Sequence, residues 1–253
     1  MNIVTVMNYR DSDVRSLLLC RIWLEAVRRH APGAAITILT AQPLPAGLRE
    51  QVDRCGSVRV VTGGYDPAVR VPRAPLAMHN IFFKLYQLSR IREPFLYLDA
   101  DTVVLESLAP LWRCRHDKPW IGVDHQRNIP GHTGGRAFLN SGVQLVGDPG
   151  FYAYDRILAC AREQQFRFTV PGTDQACLWT YFQSIGYDYT HPAVGPEWNA
   201  CAGTVAVNRG ADGRWHGRIE GMEADVRINH YWGPFKPWRI GCPIYQDALA
   251  TLA

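Results

Sequence analysis

Two carboxylates, Asp99 and Asp101, follow directly on a short apolar run at 95–98. A run of this kind, bounded by Pro94, is typical of a buried strand. Side chains two apart on a strand share a face, so the two charges repel each other unless a cation neutralises them. Carboxylate oxygens are ligands that suit magnesium or manganese. The pattern therefore predicts a divalent-metal site, and a strand that ends in a solvated acidic turn is the simpler alternative.

A second chemistry also fits this stretch. The string Asp-Ala-Asp-Thr-Val at 99–103 resembles the first motif of haloacid-dehalogenase-type phosphatases, in which the first aspartate attacks phosphate. Those enzymes need a second acidic pair later in the chain. Here Asp148 is followed by Tyr152 where the second aspartate would be required, and no Asp-Asp pair occurs. The phosphatase stays as an alternative that lacks half of its metal-binding residues.

Length and composition limit the class of protein. The chain has 253 residues, of which 47% are hydrophobic and 20% charged, as is ordinary for a globular α/β protein with one large domain. The net charge of +4 is spread along the chain and does not indicate nucleic-acid binding. The N-terminus does not resemble a signal peptide, and no apolar run is long enough to span a membrane. We therefore expect a cytoplasmic protein, in which seven scattered cysteines are reduced.

Hydrophobic periodicity and turn residues predict a βαβαβ beginning, which implies a parallel sheet with helices on both faces. Strands are predicted at 2–7, 35–39, 57–61, 95–98, 120–123, 137–146 and 226–231. Helices are predicted at 14–29, 77–91, 151–163 and 173–183, with short helices within 43–54 and at 110–112. The polar turn after the first strand contains Asn8 and Tyr9, which could hold a base by hydrogen bonding and stacking; ordinary turn residues would look the same.

A second motif near the C-terminus distinguishes these chemistries. The string at 230–238, His-Tyr-Trp-Gly-Pro-Phe-Lys-Pro-Trp, matches the His-x-x-Gly-x-x-Lys-Pro-Trp pattern of glycosyltransferase family 8 in every fixed position. The string Tyr-Leu-Asp-Ala-Asp at 97–101 resembles that family's acidic motif. Two motifs in the right order and at the right separation are far more specific than either alone. Weaker similarities lie at 138–143, at Asp174-Gln175 and at Trp198-Asn199.

The resemblance implies an α/β structure with the GT-A fold, a Rossmann-like and mostly parallel sheet flanked by helices, with a smaller mixed region on the acceptor side. It implies one domain over 1–253, with a nucleotide-binding half at 1–123 and an acceptor-side half with a C-terminal closing segment at 124–253. The implied activity is retaining transfer of a hexose from a donor of the UDP-glucose or UDP-galactose type. The acceptor, a saccharide, lipid-linked sugar, small molecule or protein, is expected to contact the segments at 124–136 and 203–221.

The resemblance also assigns roles to residues. Two carboxylates and one imidazole would hold manganese, or magnesium in its place; these ligands are Asp99, Asp101 and His230. Contacts to the UDP-sugar are implied for Asn8, Tyr9, Lys84, Asp99, Ala100, Asp101, Gly233 and Lys236. The family usually carries an arginine where this chain has Lys84, which offers a point charge in place of a planar fork.

The implied catalytic residues are Gln175, Asp174 and Asn140. Glutamine is a poor nucleophile, so we favour attack from the face of the leaving group, with Gln175 positioning the sugar; double displacement stays open. A non-catalytic sugar-nucleotide-binding module is a third interpretation. Loss of a metal ligand or of the phosphate-binding lysine would favour such a module, and the sequence retains all of them.

Overall fold

The computed structural model describes residues 1–8, 13–64, 76–124, 139–164, 173–202, 205–219, 221–231 and 235–252. The strands are β1 Asn2–Val6, β2 Ala35–Thr40, β3 Val58–Thr62, β4 Phe95–Leu98, β5 Thr102–Val104, β6 Trp120–Asp124, β7 Leu139–Val146, β8 Ala200–Cys201, β9 Val207–Arg209, β10 Trp215–Ile219, β11 Met222–Asp225 and β12 Ile228–His230. The α-helices are α1 Val14–His30, α2 Ala46–Arg54, α3 Leu76–Leu88, α4 Ala109–Arg113, α5 Tyr154–Glu163, α6 Thr173–Ser184, α7 Pro237–Ile240 and α8 Pro243–Ala250.

A six-stranded sheet in the order β3-β2-β1-β4-β7-β6 forms the centre of the molecule. Strands β1 to β4 are parallel where they pair, and β7 runs antiparallel to both β4 and β6. This confirms the predicted α/β class with a mostly parallel sheet. The division into a nucleotide-binding and an acceptor-side half stays a prediction.

Strand β4 is apolar throughout because both faces of the sheet are covered. Leu96 and Leu98 pack into a core shared with α1 and α2. Phe95 and Tyr97 pack on the other face, with α3, α5 and α6. The strand is therefore fixed from both sides, and the turn that follows it starts from a rigid point.

The acidic pair lies in this turn and not on the strand, so the expectation that Asp99 and Asp101 share a strand face is wrong. The chain leaves the central sheet after Leu98, and Thr102 closes the turn by donating from its backbone N and its Oγ1 to the backbone oxygen of Asp99, at 3.1 and 2.8 Å. These local hydrogen bonds compete successfully with continued strand pairing. Residues 102–104 then form β5 of a second, smaller sheet.

That smaller sheet, in the order β5-β12-β8, joins distant parts of the chain. Strand β12 is antiparallel to β5, with His230 opposite Thr102, and parallel to β8, with His230 opposite Cys201. This register carries His230 to the acidic turn.

Three other regions differ in detail from the sequence prediction. The predicted helix at 151–163 begins at Tyr154, because Pro149–Phe151 forms a 3-10 turn in which Asp148 Oδ1 accepts from the backbone N of Gly150 at 2.9 Å. The segment at 203–221, where no strand was predicted, contributes to an antiparallel sheet, β9-β10-β11. Helix α8 was not predicted; its Ile244 and Tyr245 are buried in a cluster that includes α1.

Within the described residues, none of the helices has both the length and the hydropathy needed to cross a bilayer.

Candidate active site

The backbone of the acidic turn is held by two neighbouring strands. The backbone N of Asp99 donates to the carbonyl oxygen of Gly142 in β7 at 2.8 Å, and the backbone N of Tyr231 donates to the carbonyl oxygen of Asp101 at 2.9 Å. Ala100, between the two acids, is buried. The turn therefore presents its carboxylates from a fixed backbone at the junction of the two sheets.

Three potential metal ligands converge at this turn. The Nε2 atom of His230 lies 3.3 Å from Asp101 Oδ1 and 3.7 Å from Asp99 Oδ2. One ligand atom from each of the three residues lies within 4.8 Å of the others. Two carboxylate oxygens and one imidazole nitrogen form a donor set that suits manganese or magnesium. The structure thus brings together the three residues that the sequence predicted as metal ligands, and their chemistry fits such an ion.

The remaining oxygen of each carboxylate is paired with a lysine. Lys84 Nζ donates to Asp99 Oδ1 at 3.0 Å, and Lys236 Nζ donates to Asp101 Oδ2. Each acid therefore has one oxygen held by an ammonium group and one facing His230. Burial alone would raise the pKa of the Asp101 carboxyl, but the hydrogen bond with His230 and the charge of Lys236 lower it below its ordinary value. Asp101 is consequently ionised near neutral pH, as a metal ligand must be.

Lys84 joins the acidic turn to α6. Its side chain is only 8% exposed, and Nζ donates to Asp99 Oδ1, to Asp174 Oδ2 at 2.7 Å and to the backbone oxygen of Ser141 at 3.1 Å. The ammonium also lies 4.3 Å from the centre of the Tyr97 ring. An ammonium has three N–H donors, so these three acceptors satisfy it. The predicted contact between Lys84 and the donor stays a prediction; in this structure its ammonium positions two carboxylates.

The residues predicted to be catalytic lie on β7 and at the start of α6. Asp174 Oδ2 accepts from Ser141 Oγ at 2.6 Å as well as from Lys84. Asn140 Oδ1 accepts from the backbone N of Gly142 at 2.8 Å, and Gln175, the next residue of α6, is buried. The structure thus connects Asp174 to the metal-binding turn through Lys84, and it places Asn140 beside Gly142, whose carbonyl oxygen holds that turn.

Matches to known proteins exist at the level of three-dimensional structure. No protein-family model and no curated protein matches the sequence. The galactosyltransferase LgtC, in a crystal structure with donor and acceptor sugar analogues, aligns over 99% of this chain and 96% of its own, with a TM-score of 0.68 and 17% identity. Mouse xyloside xylosyltransferase 1 aligns over 94% of this chain and 99% of its own, with a TM-score of 0.62 and 12% identity. The glycosyltransferase GlyE of Streptococcus pneumoniae TIGR4 aligns over 99% of this chain and 62% of its own, with a TM-score of 0.61 and 15% identity.

The chain has the GT-A glycosyltransferase fold. This confirms the fold that the two motifs predicted. Within the GT-A fold of this chain, the acidic turn follows the parallel strand β4 at its carboxyl end, which is where open α/β sheets bind ligands. The comparison concerns the fold, so the chemistry of this site must be argued from its own residues.

Gly142 is required by the imidazole of His230. A Cβ atom at this position would collide with His230 Cε1 and would lie 2.7 Å from Nδ1. A side chain at position 142 would therefore prevent the close approach between the β7 backbone and the His230 ring.

Gly142→Ala should displace the His230 ring, because the added methyl group and the ring cannot occupy the same space. We expect a destabilisation of about 1–3 kcal/mol, typical of overpacking, together with weaker manganese binding. Thermal unfolding and a manganese titration of the metal-free protein measure the two effects. Gly56→Ala is a matched control, since a Cβ there meets no atom within 4 Å. Unchanged manganese affinity in Gly142→Ala would contradict the role given to the glycine.

Asn8 retains one unused hydrogen-bond donor at the carboxyl end of β1. Its Oδ1 accepts from the backbone N of Ala41 at 2.7 Å, which ties the end of β1 to the end of β2. Its Nδ2 is buried and has no hydrogen-bond partner among the described residues. The predicted base contact of Asn8 thus has a free hydrogen-bond donor available.

Tyr9 and Gly233, also predicted to contact the UDP-sugar, lie outside the described residues, as do 125–136 of the predicted acceptor loop.

A second group of metal-ligand types, Cys114, Asp117 and His191, does not form a ready metal site. His191 Nδ1 accepts from the backbone N of Ala193 at 3.1 Å, so in the neutral ring the proton is on Nε2, which faces Asp117 Oδ2 at 3.2 Å. Burial and the charge of Asp117 raise the pKa of the Cys114 thiol. A protonated nitrogen and a protonated thiol are poor ligands, so this group is better explained as a surface turn closed by hydrogen bonds.

Sequence reasoning assigned no role to three residues of the site. Tyr97 donates from its hydroxyl to Asp99 Oδ1 at 2.5 Å, Ser141 hydrogen-bonds Asp174, and Asn199 contacts His230. Tyr97 is the only residue of β4 with a polar end, and this was the available signal. Ser141 and Asn199 belonged to short similarities that carried no geometry.

Proposed function

We propose that this chain is a metal-dependent, retaining hexosyltransferase that uses a UDP-sugar of the UDP-glucose or UDP-galactose type. The observation that carries the proposal is the convergence of Asp99 Oδ2, Asp101 Oδ1 and His230 Nε2 on one point. The GT-A fold supports it, because the neighbours of this chain in structure are glycosyltransferases.

The charges of the site support an anionic, metal-bound substrate. The carboxylates of Asp99, Asp101 and Asp174 face the ammonium groups of Lys84 and Lys236. Three negative and two positive groups leave one net negative charge while His230 is neutral. A divalent cation reverses that sign and makes the site attractive to the diphosphate of a sugar nucleotide. Bound manganese would supply charge neutralisation at the departing diphosphate.

The protein's own residues then perform the remaining tasks. Lys236 offers an ammonium beside the metal-binding carboxylates, where it can donate to an anionic leaving group. Lys84 holds Asp99 and Asp174 in a fixed relation, so the metal side and the α6 side of the site keep their separation. Gln175 follows Asp174 on α6 and is proposed to position the sugar. We favour attack from the face of the leaving group, with the departing phosphate accepting the proton of the acceptor.

The experiment that tests the proposal is hydrolysis of UDP-sugars without acceptor. We expect slow release of UDP from UDP-glucose or UDP-galactose with manganese, and none once EDTA is in excess. A thermal-shift screen of the same donors, with and without manganese, identifies the preferred sugar. Full activity in excess EDTA would overturn the metal-dependent mechanism, and donor binding without turnover would favour the non-catalytic module.

A uridine donor is expected because the unused donor Asn8 Nδ2 can serve a carbonyl oxygen of the base. UDP should therefore displace a bound donor at lower concentration than GDP or ADP in a competition assay with manganese present. Asn8→Leu should reduce this preference without removing the metal dependence. Equal displacement by GDP and UDP would show that the site does not select the base in this way.

Lys236→Met separates a phosphate-binding role from a structural one. Methionine keeps most of the apolar stem and removes the charge. We therefore expect a lower kcat/KM, which corresponds to a loss of about 2–4 kcal/mol of transition-state stabilisation. Manganese binding without donor should be retained, because Asp101 keeps the oxygen that faces His230. Steady-state kinetics and a manganese titration give the two readouts. Unchanged catalysis with a large loss of apo stability would make Lys236 a structural residue.

The phosphatase alternative gains no support from the structure. Its attacking carboxylate would be Asp99, whose Oδ1 accepts from both Lys84 and Tyr97. The structural matches are to glycosyltransferases.

A further inference from the structure

His230 has two hydrogen-bonding directions with different tasks. Its Nε2 faces the carboxylates of Asp99 and Asp101, while Nδ1 lies 2.9 Å from Asn199 Oδ1 on the opposite side of the ring. The ring is buried, so solvent cannot serve either nitrogen. The group that meets Nδ1 therefore influences which nitrogen of the neutral ring carries the proton.

The two sides of the ring compete for that proton. Asp101 Oδ1, at 3.3 Å, would accept a proton from Nε2 and so favours the tautomer whose metal-facing nitrogen is blocked. An oxygen acceptor at Nδ1 favours the opposite tautomer, in which Nε2 keeps its lone pair. Asn199 supplies such an oxygen without adding a third negative charge beside the two carboxylates.

The backbone fixes Asn199 in this place. Asn199 is the last residue of the 3-10 turn Pro196–Asn199. The strand that follows, β8, pairs with β12, which contains His230. Trp198 is buried in the core, with the guanidinium of Arg227 4.9 Å from its ring centre, and the backbone N of Arg227 donates to the oxygen of Glu197 at 2.9 Å. The amide oxygen is thus aimed at the ring by the same small sheet that positions the ring.

The other half of the same amide indicates that stability is not its purpose. Asn199 is 1% exposed, and its Nδ2 has no hydrogen-bond partner among the described residues. A buried, unpaired donor is unfavourable, and such groups in folded proteins call for a functional explanation.

We propose that Asn199 is a positioning residue that holds the proton of His230 on Nδ1 and thereby keeps Nε2 available to a metal ion. The proposal rests on the proposed function, since the ion is the one that His230, Asp99 and Asp101 would bind.

The test uses Asn199→Leu, which has a similar volume but no acceptor, with Asn199→Ala as a second variant if leucine disturbs folding. Loss of a residue that orients a metal-binding histidine typically weakens metal affinity by roughly 10–100-fold, and we expect that loss for manganese without donor, measured by the signal of free manganese in electron paramagnetic resonance. The thermal midpoint should hardly change, because the variant also removes the unpaired Nδ2. Gln183→Ala, at an exposed position on α6, is the matched control and should bind as the wild type does.

Nitrogen NMR of histidine-labelled protein reads the tautomer directly, in metal-free samples at a pH where the ring is neutral. His230 is assigned by its loss in His230→Gln. We expect a protonated Nδ1 and a bare Nε2 in the wild type, and a shift towards protonated Nε2 in Asn199→Leu. A wild-type ring protonated on Nε2, or a leucine variant with unchanged manganese affinity, would overturn the proposal. Failure of the wild type to bind manganese would instead overturn the proposed function, and the tautomer would still judge the role of Asn199.

Discussion

Asp101→Asn should remove nearly all manganese-dependent turnover of a UDP-sugar. The substitution keeps the shape of the side chain but removes the charge that a divalent ion requires at Asp101 Oδ1, opposite His230 Nε2. Metal-ion catalysis is worth several kcal/mol, so we expect kcat/KM to fall by about a thousandfold. The measurement is a manganese titration of donor hydrolysis, accompanied by direct manganese binding.

The matched control for this variant is Asp155→Asn, at an exposed position on α5. It should have wild-type activity and affinity. Apo stability needs to be measured in parallel, because Lys236 loses its carboxylate partner in Asp101→Asn. Retained metal binding in Asp101→Asn would show that the ion, if any, binds elsewhere.

The lowered pKa of Asp101 also predicts that the free energy of unfolding depends on pH. Its pKa is lowered in the folded protein, so it contributes stability that is present above its unfolded pKa and is lost as the pH falls through the lowered value. Acid unfolding of Asp101→Asn should lack this contribution. The comparison of acid-unfolding curves for the two proteins, without metal, measures it.

Lys84→Met should produce the largest loss of stability among the variants considered. Lys84 is 8% exposed and lies between Asp99 and Asp174, so methionine fills the space but leaves two carboxylates without their cation. Removing one partner of a buried ion pair typically destabilises a protein by about 3–5 kcal/mol. Denaturant unfolding of the metal-free protein at neutral pH measures the loss.

The pH dependence of this loss identifies its cause. Burial alone would raise the pKa of Asp174, but Lys84 and hydrogen bonds from Ser141 and the α6 backbone hold it below the ordinary value. Without Lys84 that pKa rises, and the carboxyl group can escape its unfavourable charge by protonation. The difference in unfolding free energy between wild type and Lys84→Met should therefore be largest near neutrality and should begin to narrow at a pH above the ordinary carboxyl pKa of about 4 as the pH falls.

Arg49→Met is the matched control, because Arg49 pairs with the exposed carboxylate of Asp53. An exposed pair of this kind contributes about 1 kcal/mol or less, so the control should be destabilised much less than Lys84→Met. A pH-independent loss in Lys84→Met would indicate lost packing and would contradict the electrostatic explanation.

The sequence by itself determined the features that depend on local pattern. The continuous apolar run of β4 predicted a buried strand that ends next to the acidic pair, and the structure confirms both. The order and spacing of the two motifs determined the fold and the three ligand types that converge on the site. Strand burial and ligand type were predictable because they depend on the types of neighbouring residues, whereas the turn that contains Asp99 and Asp101 was not predicted.

Only the tertiary structure decided how the charged groups share the site. The resemblance implied a donor contact for Lys84, whereas the fold buries it between Asp99 and Asp174. Likewise, nothing local to Asn199 indicates that it faces His230 Nδ1. Both relations depend on which strands pair: β12 lies between β5 and β8, and β4 lies beside β7. Contacts between residues far apart in sequence arise from strand order and register, which the pattern of a single strand does not contain.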